Sequence, residues 1–313
     1  MRIWQISDLH MERDEVVSGK TFGGVPDADV AVVVGDLSDF VEDNIDWCSR
    51  VVRPKMPVVY VPGNHDMYGK CIYSDIDDLR AFAAGRGVTF LEKDVVVVGG
   101  ARFVGGLLWS NYELWAAGDD EERETLVESR LVAAQEKPDY KRIYADRPAG
   151  RLMSPWDSRR RHKETISFIR RELSRPFDGP TVVATHFPVH VGSLQPQYVG
   201  DHDQPRYLSD HCSLIEETQP DFWLHGHTHH AVSSAGRSSP TIRVATPTRR
   251  PVSTGRSSTR SKPLEPSLPD PQDVGPRPWV PTRRVLRRPR RLRKQRSILV
   301  SWTDRNPSRR TTG

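Results

Sequence analysis

Five short apolar runs, three of them rich in Val, constrain this chain most: Ile3 to Ile6, Val30 to Val34, Val58 to Val61, Thr181 to Ala184 and Phe222 to Leu224. Each is too brief for a helix and each meets Gly, Pro, Asp or His within two residues of its end, the signature of a buried strand. Between them lie stretches with helical spacing, such as Phe40, Ile45, Trp47 and Val51, then Ile76, Leu79, Phe82 and Ala83, then Ile166, Ile169 and Leu173. Strand alternating with helix predicts a layered α/β protein with a largely parallel sheet. Val95 to Val98, Gly99-Gly100 and Ala101 to Val104 read as a hairpin, which adds antiparallel strands and makes a mixed fold the expectation.

Every run gives way to polar residues. The first leads into Asp8 and His10, the second into Gly35-Asp36, the third into Gly63-Asn64-His65-Asp66, the fourth into His186 and the fifth into Gly226-His227-Thr228-His229. Ligand sites in α/β sheets form at the carboxyl ends of strands, so these distant stretches are expected to meet in one crevice. Residues two apart in an extended chain face the same way, which pairs Asp8 with His10 and His227 with His229.

The donor set is two Asp, one Asn and four His, without Cys. Oxygen donors mixed with imidazoles suit manganese, iron or zinc, and they exclude thiolate sites and all-oxygen calcium cages. Seven ligands exceed the needs of one such ion. If one carboxylate bridges, they furnish four contacts to each of two ions, the arrangement that clamps an in-line displacement at phosphorus.

These residues resemble the calcineurin-like metallophosphoesterases, whose pattern D-x-H, G-D, G-N-H-[D/E], H, G-H-x-H is complete and in order from Asp8 to His229. The resemblance implies a four-layer α/β/β/α sandwich with two mixed sheets. It implies that Asp8, His10, Asp36 and His229 hold one divalent ion, and Asp36, Asn64, His186 and His227 the other. A water or hydroxide between the ions would be the nucleophile in hydrolysis of a phosphate monoester or diester. His65 would protonate the leaving oxygen or steady the phosphoryl charge, its ring oriented by Asp66, so these two are the candidate catalytic residues.

His162, His190, His202 and His211 read as ordinary hydrogen-bonded residues, while His225 and His230 flank the last motif as candidate supports for a ligand ring. The polar stretch from Trp109 to His162 reads as an insertion with one or two helices, either a lid over the site or a segment whose aromatics pack on the sheet.

Charge divides the chain at Val232. The 81 residues from Ser233 hold 20 basic and 4 acidic residues, leaving the first 232 with a net charge of −11 despite the overall +5. The tail is rich in Arg, Pro and Ser and poor in large apolar residues, so it reads as disordered, or as an out-of-frame translation of GC-rich DNA. The catalytic domain is therefore placed in residues 1–232 and the tail in 233–313. Three cysteines without close spacing argue against a disulfide framework. No apolar run approaches a membrane span, so a cytoplasmic protein without membrane partners is expected. Two rivals to the enzyme are a metal-binding interaction module without activity and a nucleic-acid binder acting through the basic run Arg283 to Arg296.

Overall fold

All five apolar runs are strands in the computed structural model, which describes residues 1–11, 24–229, 243–245 and 298–301. In chain order the first elements are β1 (Arg2–Ile6), β2 (Val30–Val34), α1 (Val41–Trp47), β3 (Val58–Val61), α2 (Ile76–Ala84), β4 (Thr89–Phe90), β5 (Asp94–Val98) and β6 (Ala101–Gly106). Then come α3 (Asp120–Ala134), α4 (Asp139–Arg142), β7 (Tyr144–Asp146), β8 (Arg151–Leu152) and α5 (Pro155–Leu173). The last are β9 (Thr181–Thr185), α6 (Cys212–Thr218), β10 (Phe222–Leu224), β11 (Arg243–Ala245) and β12 (Ile298–Ser301).

Two five-stranded sheets form, ordered β12-β1-β2-β3-β4 and β11-β10-β9-β6-β5. Both are mixed: β12 runs antiparallel to β1 and β5 antiparallel to β6, while the other pairs are parallel. Alternation along the strands explains why they are apolar on both faces. Val30, Val32, Val34, Val59 and Val61 of the first sheet share a core with Phe103, Val182, Ala184, Phe222 and Leu224 of the second. The intervening residues Ala31, Val33, Tyr60, Val104, Val183 and Trp223 instead cluster with helix residues such as Ile45, Leu79, Ile169 and Leu214. Strands buried on both sides read as continuous hydrophobic runs, and each fully buried Val contributes roughly 1.5–3 kcal/mol. The result is the expected four-layer sandwich with two mixed sheets.

The Gly99-Gly100 hairpin is present, with φ of 56° and 79° that suit a tight turn of primed type. α5 starts well before its predicted apolar stretch. Ser154 caps it by accepting from the Asp157 N–H, Asp157 reaches back to the Ser154 N–H, and Pro155 occupies the first turn.

The stretch 109–162 contains α3, α4, the β7–β8 hairpin and the first part of α5. Its Trp109, Tyr112 and Tyr140 are buried in the core, whereas Trp115 and Trp156 stay exposed. Within the tail, Arg243–Ala245 lies parallel to β10 and Ile298–Ser301 antiparallel to β1. Composition averaged over the tail hid the run Ile298-Leu299-Val300, which has the residue types that pair with an open sheet edge. The rest of the tail, with its basic run and the disordered or out-of-frame readings, lies outside the described residues, as does His230.

Candidate metal centre

The carboxyl ends of five strands converge as expected: β1 leads to Asp8 and His10, β2 to Asp36, β3 to Asn64, β9 to His186, and β10 to His227 and His229. The reason for convergence differs from simple alternation. Asp8, His10, Asp36, His227 and His229 all have left-handed backbones, with φ of 53°, 48°, 56°, 68° and 50°. Such conformations are uncommon outside Gly, and they concentrate at sites where surrounding structure holds them. Here the loops brace one another: the Asp8 N–H donates to Gly35 O at 3.0 Å and the His10 N–H to Asp36 O at 3.2 Å.

The donor atoms fall into overlapping clusters in which every atom lies within 4.8 Å of the others: Asp8, His10 and His229; His10, Asp36 and His65; Asp36, His186 and His227. His10 Nε2 and His229 Nε2 are 3.2 Å apart, with Asp8 Oδ1 3.5 Å from the latter. On the other side, His186 Nε2 lies 3.2 Å from Asp36 Oδ2 and 3.1 Å from Asn64 Oδ1. The His186 Nδ1–H donates to Val34 O at 2.7 Å, which turns Nε2 toward the carboxylate, as a bond at the far nitrogen of a metal-ligating imidazole does. Imidazole nitrogens, carboxylates and one amide oxygen aimed at a common space fit divalent cations of borderline softness.

Two glycines make this packing feasible. A Cβ on Gly63 would overlap Asp36 Oδ1, and one on Gly226 would come within 2.6 Å of Asp8 Oδ2. The freed space is used by backbone donors. The His65 N–H donates to Asp36 Oδ1 at 2.9 Å, and the His227 N–H to Asp8 Oδ1 at 2.9 Å.

Electrostatics agree with a site built around positive charge. Burial favours neutral forms of both Asp36 and His186, yet their mutual attraction overrides it, holding the carboxyl well below its ordinary range and lifting the imidazole to about 9. Burial drives His227 and His10 down, favouring the neutral imidazole, in which one ring nitrogen carries no proton.

His65 reaches the site, but its ring is held by Asp39 rather than Asp66: Nδ1 lies 2.7 Å from Asp39 Oδ1. Asp66 lies beneath the site, fully buried, and does not line the cleft. It accepts from the Asp36 N–H at 2.9 Å, the Gly63 N–H at 2.6 Å, Asn44 Nδ2 at 2.7 Å and the Tyr60 hydroxyl at 2.5 Å. Burial, then the nearby Asp36 charge, pushes its carboxyl up to about 6. The sequence signal for Asp39 was its place three residues after Asp36, in the same post-strand loop. Asp139, which accepts from Asn64 Nδ2 at 3.0 Å, had no local signal.

The centre opens into a cleft of about 390 Å³ whose far wall includes Trp109, Tyr112, Lys137, Arg206 and Tyr207. The stretch 109–162 thus supplies wall residues as well as core. Its His162 meets His211, Nε2 to Nε2 at 2.9 Å, away from the cleft. His190 accepts from the Gly192 N–H, and His202 lines a neighbouring cavity. His225 contacts Ser193 Oγ at 2.9 Å and not a ligand ring.

A family model described as calcineurin-like phosphoesterase matches residues 1–231. No curated protein matches the chain. Among solved structures, the phosphopantetheinyl hydrolase PptH from Mycobacterium tuberculosis is similar, with a TM-score of 0.53 and 20% identity over 78% of this chain and 87% of that one.

Proposed function

Because the chain belongs to the calcineurin-like phosphoesterase family, and is thus a metal-dependent hydrolase of phosphoester bonds, we propose that it works with two divalent ions shared across Asp36. The carrying observation is that the Asp36 carboxylate belongs to two clusters of potential ligands, one with His10 and His65 and one with His186 and His227, while His10 also belongs to the cluster with Asp8 and His229. In this reading Asp8, His10, Asp36 and His229 hold one ion, and Asp36, Asn64, His186 and His227 the other. Manganese, iron and zinc all suit the donors. When bound, the ions supply the attacking water and neutralise charge developing on the phosphoryl oxygens.

The chain's own residues do the rest. His65, its Nδ1 engaged by Asp39, offers Nε2 to protonate the leaving oxygen. Asp66 acts as a clasp, tying the loops that carry Asp36 and Gly63. Lys137 and Arg206 on the cleft wall attract a substrate that is anionic beyond the reacting phosphoryl group, and the tyrosines beside them offer flat apolar contact. Among the described residues no helix is long and apolar enough to cross a membrane. With three free cysteines, a cytoplasmic address is the reading we adopt.

The test is a panel of phosphate monoesters and diesters, with a phosphopantetheine ester among them, assayed with manganese, iron or zinc. Turnover lost in Asp36→Asn ties activity to the shared carboxylate. Turnover that survives the substitution rejects this assignment.

A further inference from the structure

The side chain of an asparagine is ambident: Oδ1 can ligate a cation, whereas Nδ2 can only donate hydrogen bonds. Asn64 is useful to the centre only with its oxygen turned inward, and nothing in the G-N-H motif itself sets that choice. Asp139, 75 residues away and within the insertion, does make it. Its Oδ1 accepts from Asn64 Nδ2 at 3.0 Å and from the Tyr68 hydroxyl at 2.9 Å. A carboxylate is an acceptor only, so it cannot satisfy a flipped amide that presents Oδ1.

We propose that Asp139 is a positioning residue that locks the Asn64 amide with Oδ1 facing the metal-binding donors. The inference rests on the two-ion reading and deepens it. The frame around Asp139 is suited to the task. Arg142, on the same short helix α4, pairs with Asp39 at 2.9 Å and lies over the Tyr68 ring at 3.9 Å. Backbone bonds then fasten α4 to the segment after the motif: the Gly69 N–H donates to Arg142 O at 2.7 Å and the Tyr144 N–H to Lys70 O at 2.8 Å. One short element of the insertion therefore grips Asn64 directly and His65 through its partner Asp39. The Asp139 carboxylate is bonded to Asn64 and to Tyr68, of which only Asn64 is a proposed ligand, so its influence on metal binding passes through Asn64.

The experiment is calorimetric titration of the full-length, metal-stripped protein with manganese alone. Wild type is expected to take up two ions. Asp139→Ala should weaken one of them by roughly 10–100-fold, the usual effect of losing a partner that orients a ligand, and leave the other unchanged. Asn64→Ala should weaken the same ion, and the double variant should bind no worse than Asn64→Ala, because a residue acting through another has no effect once that other is gone. Asp139→Asn, whose amide can accept from Asn64 or donate to a flipped one, should weaken the same ion by less than Asp139→Ala does, and Tyr68→Phe should match wild type. Thermal melting of the metal-free forms is run alongside, and Asp139→Ser replaces Asp139→Ala in the cycle if the latter melts early. Full affinity for both ions in Asp139→Ala, or losses that add in the double variant, overturns the proposal. Failure of wild type to bind two ions overturns the two-ion reading first, and is recognisable because no variant is involved.

Discussion

At the scale of single residues, the site is held by conformations most side chains avoid. Five of its donors sit in the left-handed region, each at a cost of about 1–3 kcal/mol, and the glycines beside them remove atoms where carboxylates must approach. Gly63→Ala should therefore displace Asp36 and damage fold and site together, seen as a urea midpoint well below wild type and loss of manganese binding. The convergence of the seven candidate donors was legible because each follows a strand and their types suit one purpose. Asp139 was not, since only folding brings it to Asn64. The partner of His65 was misassigned to its neighbour Asp66 because adjacency in sequence says little about direction: the turn sends Asp66 inward to Tyr60 and Asn44. If His65 handles the leaving-group proton, His65→Ala should lower kcat by roughly 10²–10⁴-fold while two ions still bind. Asp39→Asn should shift the pH profile of kcat with a smaller loss. Unchanged turnover in His65→Ala would remove that residue from the chemistry.

Elements show what local signals carry and what they omit. The stretch from Ile166 to Leu173 announces a helix through its apolar spacing, but the beginning of α5 lies at Ser154-Pro155-Trp156-Asp157, a capping signature unaccompanied by an apolar stripe. Ser154→Ala should cost about 1 kcal/mol, read from urea unfolding. The same helix carries His162 at full burial against His211 on the segment leading to α6, with the His162 ring 3.0 Å from Trp109 O. Burial lowers His162 to about 3 and His211 to about 4. Both are neutral in the folded protein where the unfolded chain binds protons. Their contribution is complete above pH ~6.5 and is lost as pH falls from there toward 4 for His211 and 3 for His162, at about 1.4 kcal/mol per pH unit for each group. The urea midpoint measured across that window should fall steeply in wild type and more gently in His162→Gln/His211→Gln. Equal slopes would show that the pair does not govern acid stability.

For the whole molecule, the split in charge at Val232 matches a split in legibility. Before it, runs such as Val30 to Val34, buried on both faces, announce two covered sheets, and the strand ends announce the centre. After it, averaged composition conceals the brief runs that complete the sheets, because three or four residues can pair with an existing edge without forming any core of their own. β12 covers β1 and β11 covers β10, so both sheets draw an outer strand from the tail. Every proposed ligand from Asp8 to His229 precedes that point. A chain ending at Val232 should therefore keep two manganese sites while exposing the backbone edges of β1 and β10, which carry donors and acceptors that other chains can pair with. The expected outcome is a lower urea midpoint and self-association that grows with protein concentration in sedimentation, at an unchanged metal stoichiometry. A truncated chain as stable and monomeric as the full one would show that β11 and β12 add nothing to the fold. Loss of metal along with the tail would place part of the centre's support beyond Val232.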